Sequence, residues 1–387
     1  MRPTLLSAAL PLTLILAACD AEPDAPRDEP DAAREAAREQ GADAMAARDP
    51  APGQTAAVGL PDNEDRPLMQ AQVVLGRLGF SAGIIDGKPG QSLVNALKGF
   101  QESRDLPVTG ELDAATRKAL AQWNSIPATR VVTIPENWSQ AQFTPQPDGM
   151  KDQAQMPRLG YENMAEKLAE RFHTTPAVLA QLNPGGRPAG ADASPTPSAA
   201  PSPAGAVPHF APGQPLRVPN IGADAIEAAS VDNKDWLETL RSLGVGTNQP
   251  DVARIVVDES EGWLKAYDGD DRLVAMFTVT TGSQHDPLPI GDWQVKGVAY
   301  NPSFAFDPEL FWDVPDSDDK QRLPPGPNNP VGVVWIDLTK EHYGIHGTPV
   351  PEAIGRSESH GCVRLTNWDA ARLALMVSGS TKVVFRR

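Results

Sequence analysis

Two segments that lack a continuous apolar pattern limit what this chain can fold into. Residues 19–66 consist mainly of Ala, Asp, Glu, Arg and Pro, and residues 185–207 are rich in Pro, Ala and Ser. Such segments bury too little apolar surface to offset the conformational entropy that is lost on ordering. The pattern therefore predicts a multidomain protein with an acidic disordered tether over 19–66 and a flexible insertion over 185–207.

Half of the overall charge is carried by the tether. The 387 residues have a formal net charge of −16, and Asp20–Arg66 holds thirteen acidic and five basic residues, which gives −8. A protein this acidic is a poor partner for nucleic acid, so we expect none. The length leaves room for two to four domains, and the hydrophobic content of 40% suits soluble globular units.

The N-terminus predicts export. Met1-Arg2 precedes an apolar run over 5–18 that is too short for a stable membrane span. The run ends in Leu16-Ala17-Ala18-Cys19, which resembles a bacterial lipobox with Cys19 as the lipidated residue. The resemblance implies a periplasmic lipoprotein, anchored to a membrane of a Gram-negative-type envelope. An ordinary signal peptide cleaved nearby is the alternative.

Removal of Cys19 from the count leaves Cys362 as the one remaining cysteine. An odd thiol in an exported protein suggests a reactive group. His346 lies sixteen residues upstream of it and His360 two residues upstream. A neighbouring imidazole can accept the thiol proton and stabilise the thiolate, which is the Cys–His arrangement of acyl transfer.

The residues around the thiol fit the same chemistry. Gly361 allows close approach of the backbone to a substrate, and the N–H groups from His360 to Cys362 are placed to donate to an oxyanion. Arg364 can bind a substrate carboxylate through a fork of hydrogen bonds.

A family resemblance rests on three runs of sequence. Ser359-His360-Gly361-Cys362-Val363-Arg364 and Ile345-His346-Gly347-Thr348 resemble the signature of the L,D-transpeptidase catalytic domain. Gly326-Pro327-Asn328-Asn329-Pro330-Val331-Gly332 resembles the GPxNPxG run of Gram-negative members. The match covers residues 251–387. It implies a mainly-β, sandwich-like catalytic domain that acts on peptidoglycan through a cysteine acyl-enzyme and needs no cofactor.

The resemblance also implies residue roles. His346 is the general base for Cys362, the carbonyl of Gly347 orients its imidazole, and His360 supports the other side of the site. The residues implied in substrate binding are Arg364, Ser359 and Gly361. The implied partners are the stem peptides and glycan of peptidoglycan. An amine acceptor makes the enzyme a transpeptidase, whereas water makes it an L,D-carboxypeptidase.

Two structural alternatives concern the thiol itself. In the first, Cys362 is an inert buried apolar residue, as a lone Cys often is. In the second, Cys362 is a zinc ligand, because His342 and His346 are four residues apart and His360 with Cys362 would complete four ligands. Residues 340–349 have the pattern of a strand and turn, not of a helix with both histidines on one face, so we predict no metal.

Two functional alternatives remain outside transpeptidation. A non-catalytic wall-binding lipoprotein is disfavoured by the intact thiol–histidine set. A serine penicillin-binding enzyme would use Ser317-x-x-Lys320, but this run lies in an Asp- and Pro-rich segment and lacks the Ser-x-Asn and Lys-Thr-Gly companions.

Residues 67–124 are predicted to form a small all-α domain. Leu93, Leu97 and Phe100 have helical spacing, and Asp113 can cap a third helix that ends at Leu120. The order of its turns and apolar residues resembles the three-helix peptidoglycan-binding domain. A helical spacer that binds nothing is the alternative.

Residues 153–220 are predicted to form a small α+β module. A helix over 161–169, a second helix capped by Thr175 and a strand over 213–219 resemble a LysM repeat. The usual Gly-Asp-Thr start is missing and the insertion over 185–207 interrupts the pattern, so glycan binding stays open.

From residue 251 the pattern favours strands. β-Branched runs predict strands over 253–258, 273–280, 293–298, 333–338 and 381–385. Residues 303–329 lack periodicity, which is typical of a functional loop or lid. Thr366-Asn367-Trp368-Asp369 predicts a capping box that opens a helix through Val377.

Overall fold

The computed structural model describes residues 60–190, 209–222, 225–311 and 319–387. The predicted signal segment, Cys19, the tether up to residue 59 and residues 191–207 of the insertion lie outside these ranges. Within the described ranges, no helix combines the length and hydropathy needed to cross a membrane.

Helices dominate the first half of the described chain and strands the second. The α-helices are α1 (Pro67–Arg77), α2 (Gln91–Ser103), α3 (Ala114–Leu120), α4 (Met150–Gln153), α5 (Met164–Arg171), α6 (Pro176–Leu182), α7 (Lys234–Leu243) and α8 (Asn367–Met376). The strands are β1 (Thr129–Thr133), β2 (Pro215–Pro219), β3 (Arg254–Asp258), β4 (Trp263–Tyr267), β5 (Leu273–Thr278), β6 (Gly291–Tyr300), β7 (Phe304–Phe306), β8 (Gln321–Leu323), β9 (Val334–Leu338), β10 (Gly344–His346), β11 (Val363–Arg364) and β12 (Lys382–Arg386).

The predicted helical domain forms from α1, α2 and α3. Leu93, Leu97 and Phe100 of α2 are buried, as their spacing predicts. The side chain of Asp113 accepts a hydrogen bond from the N–H of Thr116 and so satisfies one free donor at the start of α3. The predicted helical spacing of α2 and the predicted cap of α3 are confirmed.

Residues 129–219 form a second unit, which we call the two-helix module. Strands β1 and β2 pair antiparallel from Thr129↔Pro219 to Thr133↔Pro215, and α5 and α6 lie between them in sequence. Asn163 and Thr175 cap the two helices through their side-chain oxygens. β1 lies before residue 153, where the module was predicted to begin.

The catalytic region is built on one eight-stranded sheet with the order β11-β10-β9-β6-β12-β3-β4-β5. Thr280, just after one edge strand, forms a bridge with Arg364 in the other edge strand. The sheet therefore curls until its edges meet, which corrects the predicted sandwich-like arrangement. α7 and α8 contribute Trp236, Leu240 and Trp368 to its largest apolar core.

Three local predictions need adjustment. No strand was predicted over residues 262–267, but their Trp263, Leu264 and Ala266 are buried and belong to β4. The unpatterned segment 303–329 contains the hairpin β7–β8, with residues 312–318 outside the description. Thr366 caps α8 as predicted, although the helix ends at Met376 and not at Val377.

The helical domain docks on the catalytic sheet at β5. Phe80 packs in one apolar cluster with Val256, Trp263 and Met276 of the sheet. The N–H of Ser81 donates to Met276 O at 2.9 Å, and the N–H of Met276 donates to Gly79 O at 3.1 Å. Residues 79–81 thus pair with the edge strand of the sheet.

Candidate active site

Strand pairing brings the predicted base and the thiol loop together. β10 pairs antiparallel with β9 and parallel with β11, with His346 opposite Arg364. The N–H of Leu365 donates to His346 O at 2.8 Å. Cys362, which immediately precedes β11, therefore lies at the end of the sheet that carries His346.

His346 is held as a neutral imidazole with a defined tautomer. Only 4% of the residue is exposed, and its Nδ1 lies 2.7 Å from Gly347 O. A carbonyl only accepts, so Nδ1 carries the hydrogen and Nε2 carries a lone pair. Burial and the charge of Arg364 lower the pKa of His346 to about 3. The ring also stacks on Trp335, with centroids 5.5 Å apart.

The thiol is half-buried and lies against the segment that leads into β10. Sγ of Cys362 donates to His342 O at 3.9 Å. Gly361 has φ +95°, and a Cβ there would lie 2.6 Å from the ring of Tyr343. Glycine is therefore needed at this position for both its backbone conformation and its space. Burial and the charge of Cys362 raise the pKa of Tyr343.

The other predicted site residues surround the thiol loop. Ser359 is buried, and its hydroxyl donates to Cys362 O at 2.7 Å. The ring of His360 contacts Phe311 edge-on at 5.0 Å. The backbone of Arg364 exchanges two hydrogen bonds with Thr280 at 2.8 and 3.1 Å. Ser359 thus braces the loop, and the substrate-binding roles stay predictions.

Two of the three histidines in the zinc alternative, His342 and His346, occupy different environments. His342 has φ +66°, is largely exposed and lies 3.7 Å from Glu341, whereas His346 is buried. In the part of the chain that the structure describes, no three His, Cys, Asp or Glu side chains form a group able to hold a metal ion.

The Gly326–Gly332 run is fixed by the two-helix module. The N–H of Asn328 donates to Leu159 O at 3.0 Å, and the N–H of Leu159 donates to Pro325 O at 3.1 Å. The side-chain amide of Asn328 donates to Glu166 Oε1 at 2.8 Å. A loop that precedes β9 is therefore anchored by residues more than 150 positions earlier in the sequence.

Asn367, the first residue of α8, connects this loop to the base. Its Nδ2 donates to Glu170 Oε1 at 2.8 Å and to Pro327 O at 3.1 Å. Its Oδ1 lies so close to Gly347 that a Cβ there would collide with it. Sequence reasoning missed Asn367 and Glu170 as site residues, because Asn367 was assigned to a capping box and Glu170 lies just after the helix predicted over 161–169.

A separate cavity lies away from this site. It has a volume of about 140 Å³ and is lined by α1, by residues 244–246 and by Arg372. None of the predicted site residues lines it. The cavity therefore belongs to the junction between units and not to the thiol chemistry.

Comparison with known proteins identifies the family. Residues 252–385 match the family described as the L,D-transpeptidase catalytic domain, and residues 65–120 match the putative peptidoglycan binding domain. The chain is 31% identical over 140 residues to the putative L,D-transpeptidase YkuD of Bacillus licheniformis, across 36% of this chain and 69% of that protein. The chain belongs to the L,D-transpeptidase family.

Other members of the L,D-transpeptidase family match over smaller shares of their own length. YkuD of Bacillus subtilis is 46% identical over 68 residues, which is 18% of this chain and 40% of that protein. The probable L,D-transpeptidase YbiS of Escherichia coli is 30% identical over 137 residues, covering 34% of this chain and 44% of that protein. An L,D-transpeptidase structure from Mycobacterium smegmatis aligns at 22% identity and a TM-score of 0.28, over 35% of this chain and 58% of that one.

These matches confirm two of the predicted domains of this L,D-transpeptidase. The catalytic-domain match falls within residues 251–387, and the second match lies over α1–α3. The expectation of an enzyme is confirmed by the catalytic-domain match and the names of the relatives. The LysM-like interpretation of residues 153–220 stays a prediction.

Proposed function

We propose that this enzyme forms a thioester between Cys362 and the stem tetrapeptide of peptidoglycan and transfers the acyl group to an amine. The observation that supports this most is the state of His346. Its Nδ1 donates to Gly347 O, which leaves Nε2 as a proton acceptor on the strand next to the thiol loop. Burial lowers the pKa of His346 to about 3, so the free imidazole is neutral, and the negative charge of the thiolate stabilises the imidazolium once the thiol proton has been transferred.

The first half-reaction consumes one stem peptide. Cys362 transfers its proton to Nε2 of His346, and Sγ attacks the carbonyl carbon between the L-centre of meso-diaminopimelate and the terminal D-Ala. The C–N bond breaks as the imidazolium returns the proton to the departing D-Ala amine. The acyl group remains on sulfur as a thioester.

The second half-reaction determines the product. An acceptor amine attacks the thioester carbon, its proton passes to His346, and the thiol is restored when the C–S bond breaks. A second stem peptide as acceptor gives a 3-3 cross-link, and a free D-amino acid gives exchange. A protein amine gives attachment to the wall.

Charge that develops on the carbonyl oxygen needs donors in place before the reaction. The N–H groups from His360 to Cys362 are the proposed donors, and the hydroxyl of Ser359 holds that loop through Cys362 O. Arg364 is the proposed contact for a substrate carboxylate. His360 would keep the loop in place through its contact with Phe311.

The accessory regions are proposed to bring the enzyme to the wall. A lipid anchor on Cys19 would hold it on the periplasmic side of a membrane, and the helical domain and two-helix module would contact peptidoglycan. A Cys19→Ala variant is expected to leave the membrane fraction while the purified protein keeps its activity. Unchanged membrane retention would contradict the anchor assignment.

The proposed reaction is tested with soluble Cys19→Ala protein and purified tetrapeptide muropeptides. Mass spectrometry is expected to show release of D-Ala, 3-3 dimers or exchanged D-amino acids, and an acyl adduct on Cys362. Cys362→Ala is the control and should give none of them. Tripeptide without dimer or exchange would identify an L,D-carboxypeptidase, and absence of turnover and adduct would indicate a non-catalytic wall-binding protein.

A further inference from the structure

We propose that Glu170 of the two-helix module is a positioning residue for His346 and acts through Asn367. The inference rests on the proposed role of His346 as the base. It makes the module part of the catalytic apparatus, although Glu170 lies 197 residues before Asn367 in the sequence.

Glu170 is buried, and each of its carboxyl oxygens accepts a hydrogen bond. Only 6% of the residue is exposed. Oε1 accepts from Nδ2 of Asn367 at 2.8 Å, and Oε2 accepts from the hydroxyl of Tyr161 at 2.9 Å. Ser242 in turn donates to the Tyr161 hydroxyl at 3.2 Å. A buried carboxyl held from both sides has one well-defined position.

The carboxyl of Glu170 and the carbonyl of Pro327 both accept from the amide of Asn367, and together they determine which way it faces. Asn367 is fully buried, and an acceptor at Glu170 requires its NH₂ group on that side. The amide oxygen then points the other way, where it accepts from the N–H of Val333 at 3.3 Å. The reversed amide would place NH₂ against that N–H, with no acceptor between them.

The amide oxygen is in direct contact with the peptide that orients the base. A Cβ on either Gly332 or Gly347 would collide with Oδ1 of Asn367. Gly347 O accepts from Nδ1 of His346, and the N–H of Gly347 lies 3.4 Å from Val334 O. A shift of Asn367 therefore displaces the Gly347 peptide and turns the imidazole away from the thiol.

The substitution Glu170→Leu tests this chain of contacts in the full soluble protein. It is expected to lower kcat for D-Ala release by roughly 10- to 100-fold, the size of effect that a displacement of about 1 Å produces. KM should stay within about twofold, because Glu170 has no proposed contact with substrate. The pH profile of Cys362 alkylation should also shift toward that of a free thiol.

Two matched variants separate positioning from stability. Glu170→Gln is expected to restore kcat to within about threefold, since its carbonyl accepts from Asn367 and its NH₂ can donate to the Tyr161 hydroxyl. Leu168→Ala creates a cavity in the same helix without touching Asn367. It should lower the melting temperature at least as much as Glu170→Leu and keep kcat at temperatures where circular dichroism shows folded protein.

Unchanged kcat in Glu170→Leu overturns the inference, as does an equal loss of kcat in Leu168→Ala. If Glu170→Leu does not fold, the variant Asn367→Asp tests the same hydrogen bond from the other side. It replaces the NH₂ donor of Asn367 with a carboxylate oxygen of similar shape. A loss of kcat in that variant supports the inference and an unchanged kcat overturns it. Parental alkylation and turnover in His346→Ala would instead show that the proposed base is wrong.

Discussion

The helical domain and the two-helix module contact the same catalytic domain with different shares of apolar burial and hydrogen bonding. The helical domain buries Phe80 against Trp263 and Met276, pairs its backbone with β5, and donates a buried hydrogen bond from Ser81 to Asp369 of α8 at 2.8 Å. The two-helix module contacts the other end of the sheet through hydrogen bonds of Glu166 and Glu170. Apolar burial is non-directional and adds free energy of unfolding, whereas buried hydrogen bonds are directional and define geometry.

The positions of the two contacts strengthen this difference. The curl brings the end of β5 close to the site, since Thr280 meets Arg364, but the helical domain pairs with β5 at Met276, four residues earlier in the chain. Asn367 and the Gly326–Gly332 run lie directly beside His346 and Gly347. We therefore expect changes at the helical-domain contact to alter stability and changes at the module contact to alter rate.

The largest effect on rate is expected from substitution of the proposed base, and the effects of the two domain contacts can be compared with it. His346→Ala should reduce the rate of Cys362 acylation by about 10²- to 10⁴-fold, which is the usual contribution of a general base. His360→Ala should leave measurable acylation. Alkylation against pH should give a Cys362 pKa below about 8.5 in the parent and nearer to it in His346→Ala. If His360→Ala alone moves that profile, the two roles are reversed.

At the apolar contact the expected effect is on stability alone. Phe80→Ala should lower the free energy of unfolding by about 3–5 kcal/mol, because a fully buried aromatic ring is lost and leaves a cavity. Urea denaturation measures this, and kcat of the folded enzyme should be unchanged. Val108→Ala in the same domain, where Val108 is half-exposed, is the control with little effect. A matching fall in kcat would show that both contacts control geometry.

On the side of the two-helix module, we expect the free energy of unfolding to depend on pH through His173. His173 stacks on Trp368 of α8 at 5.0 Å, and burial lowers its pKa to about 3. A depressed folded pKa gives stability that is present above pH 6.5, the unfolded value, and is lost as pH falls toward 3. His173→Asn keeps a residue that tolerates the positive φ of 54° but removes this titration.

The parent should lose stability faster than His173→Asn below pH 6.5. The extra slope is at most about 1.4 kcal/mol per pH unit for one proton. Urea denaturation at a series of pH values measures the difference. Parallel curves for the two proteins would mean that His173 does not stay neutral in the fold.

The smallest effect is expected from a charge pair at the rim of the apolar contact. Nζ of Lys98 lies 2.8 Å from Glu261 Oε2, and both side chains are substantially exposed. Exposed pairs of this kind contribute about 0–1 kcal/mol and weaken with salt. Lys98→Gln should therefore change the free energy of unfolding by less than about 1 kcal/mol. A larger loss would show that this contact also depends on charge.

The structure changes how wall binding by the helical domain has to be tested. A tethered binding module can be deleted without harm to its enzyme, but Val256, Trp263 and Met276 of the catalytic sheet lie in the core of this domain. Deletion of residues 67–123 would expose them to water. Surface substitutions that leave Phe80 in place, followed by co-sedimentation with peptidoglycan sacculi, avoid that problem.

Features with local signals were predictable from the sequence. Caps depend on one side chain and the next three residues, which is why Asp113 and Thr366 were assigned correctly. The hydrogen bond between His346 and Gly347 involves adjacent residues and agrees with the role that the family resemblance implied.

Features that depend on distant partners were not predictable in this way. β1 is a five-residue strand whose partner lies more than 80 residues later, and nothing in Thr129–Thr133 identifies that partner. The curl of the sheet depends on the meeting of Thr280 with Arg364. Glu170 occupies a helical position with a polar side chain, and only its burial against Asn367 distinguishes it from a solvated residue.

The pairing of residues 79–81 with β5 also has a consequence outside catalysis. A free edge strand presents unpaired N–H and C=O groups that invite strands from other molecules, and β5 contains the apolar sequence Leu-Val-Ala-Met-Phe. Gly79 permits the close approach, since its φ is +100° and a Cβ would lie 2.5 Å from Val274 O. The helical domain thus covers an aggregation-prone edge of its own enzyme, and a side chain at position 79 would favour intermolecular β-pairing and fibril formation.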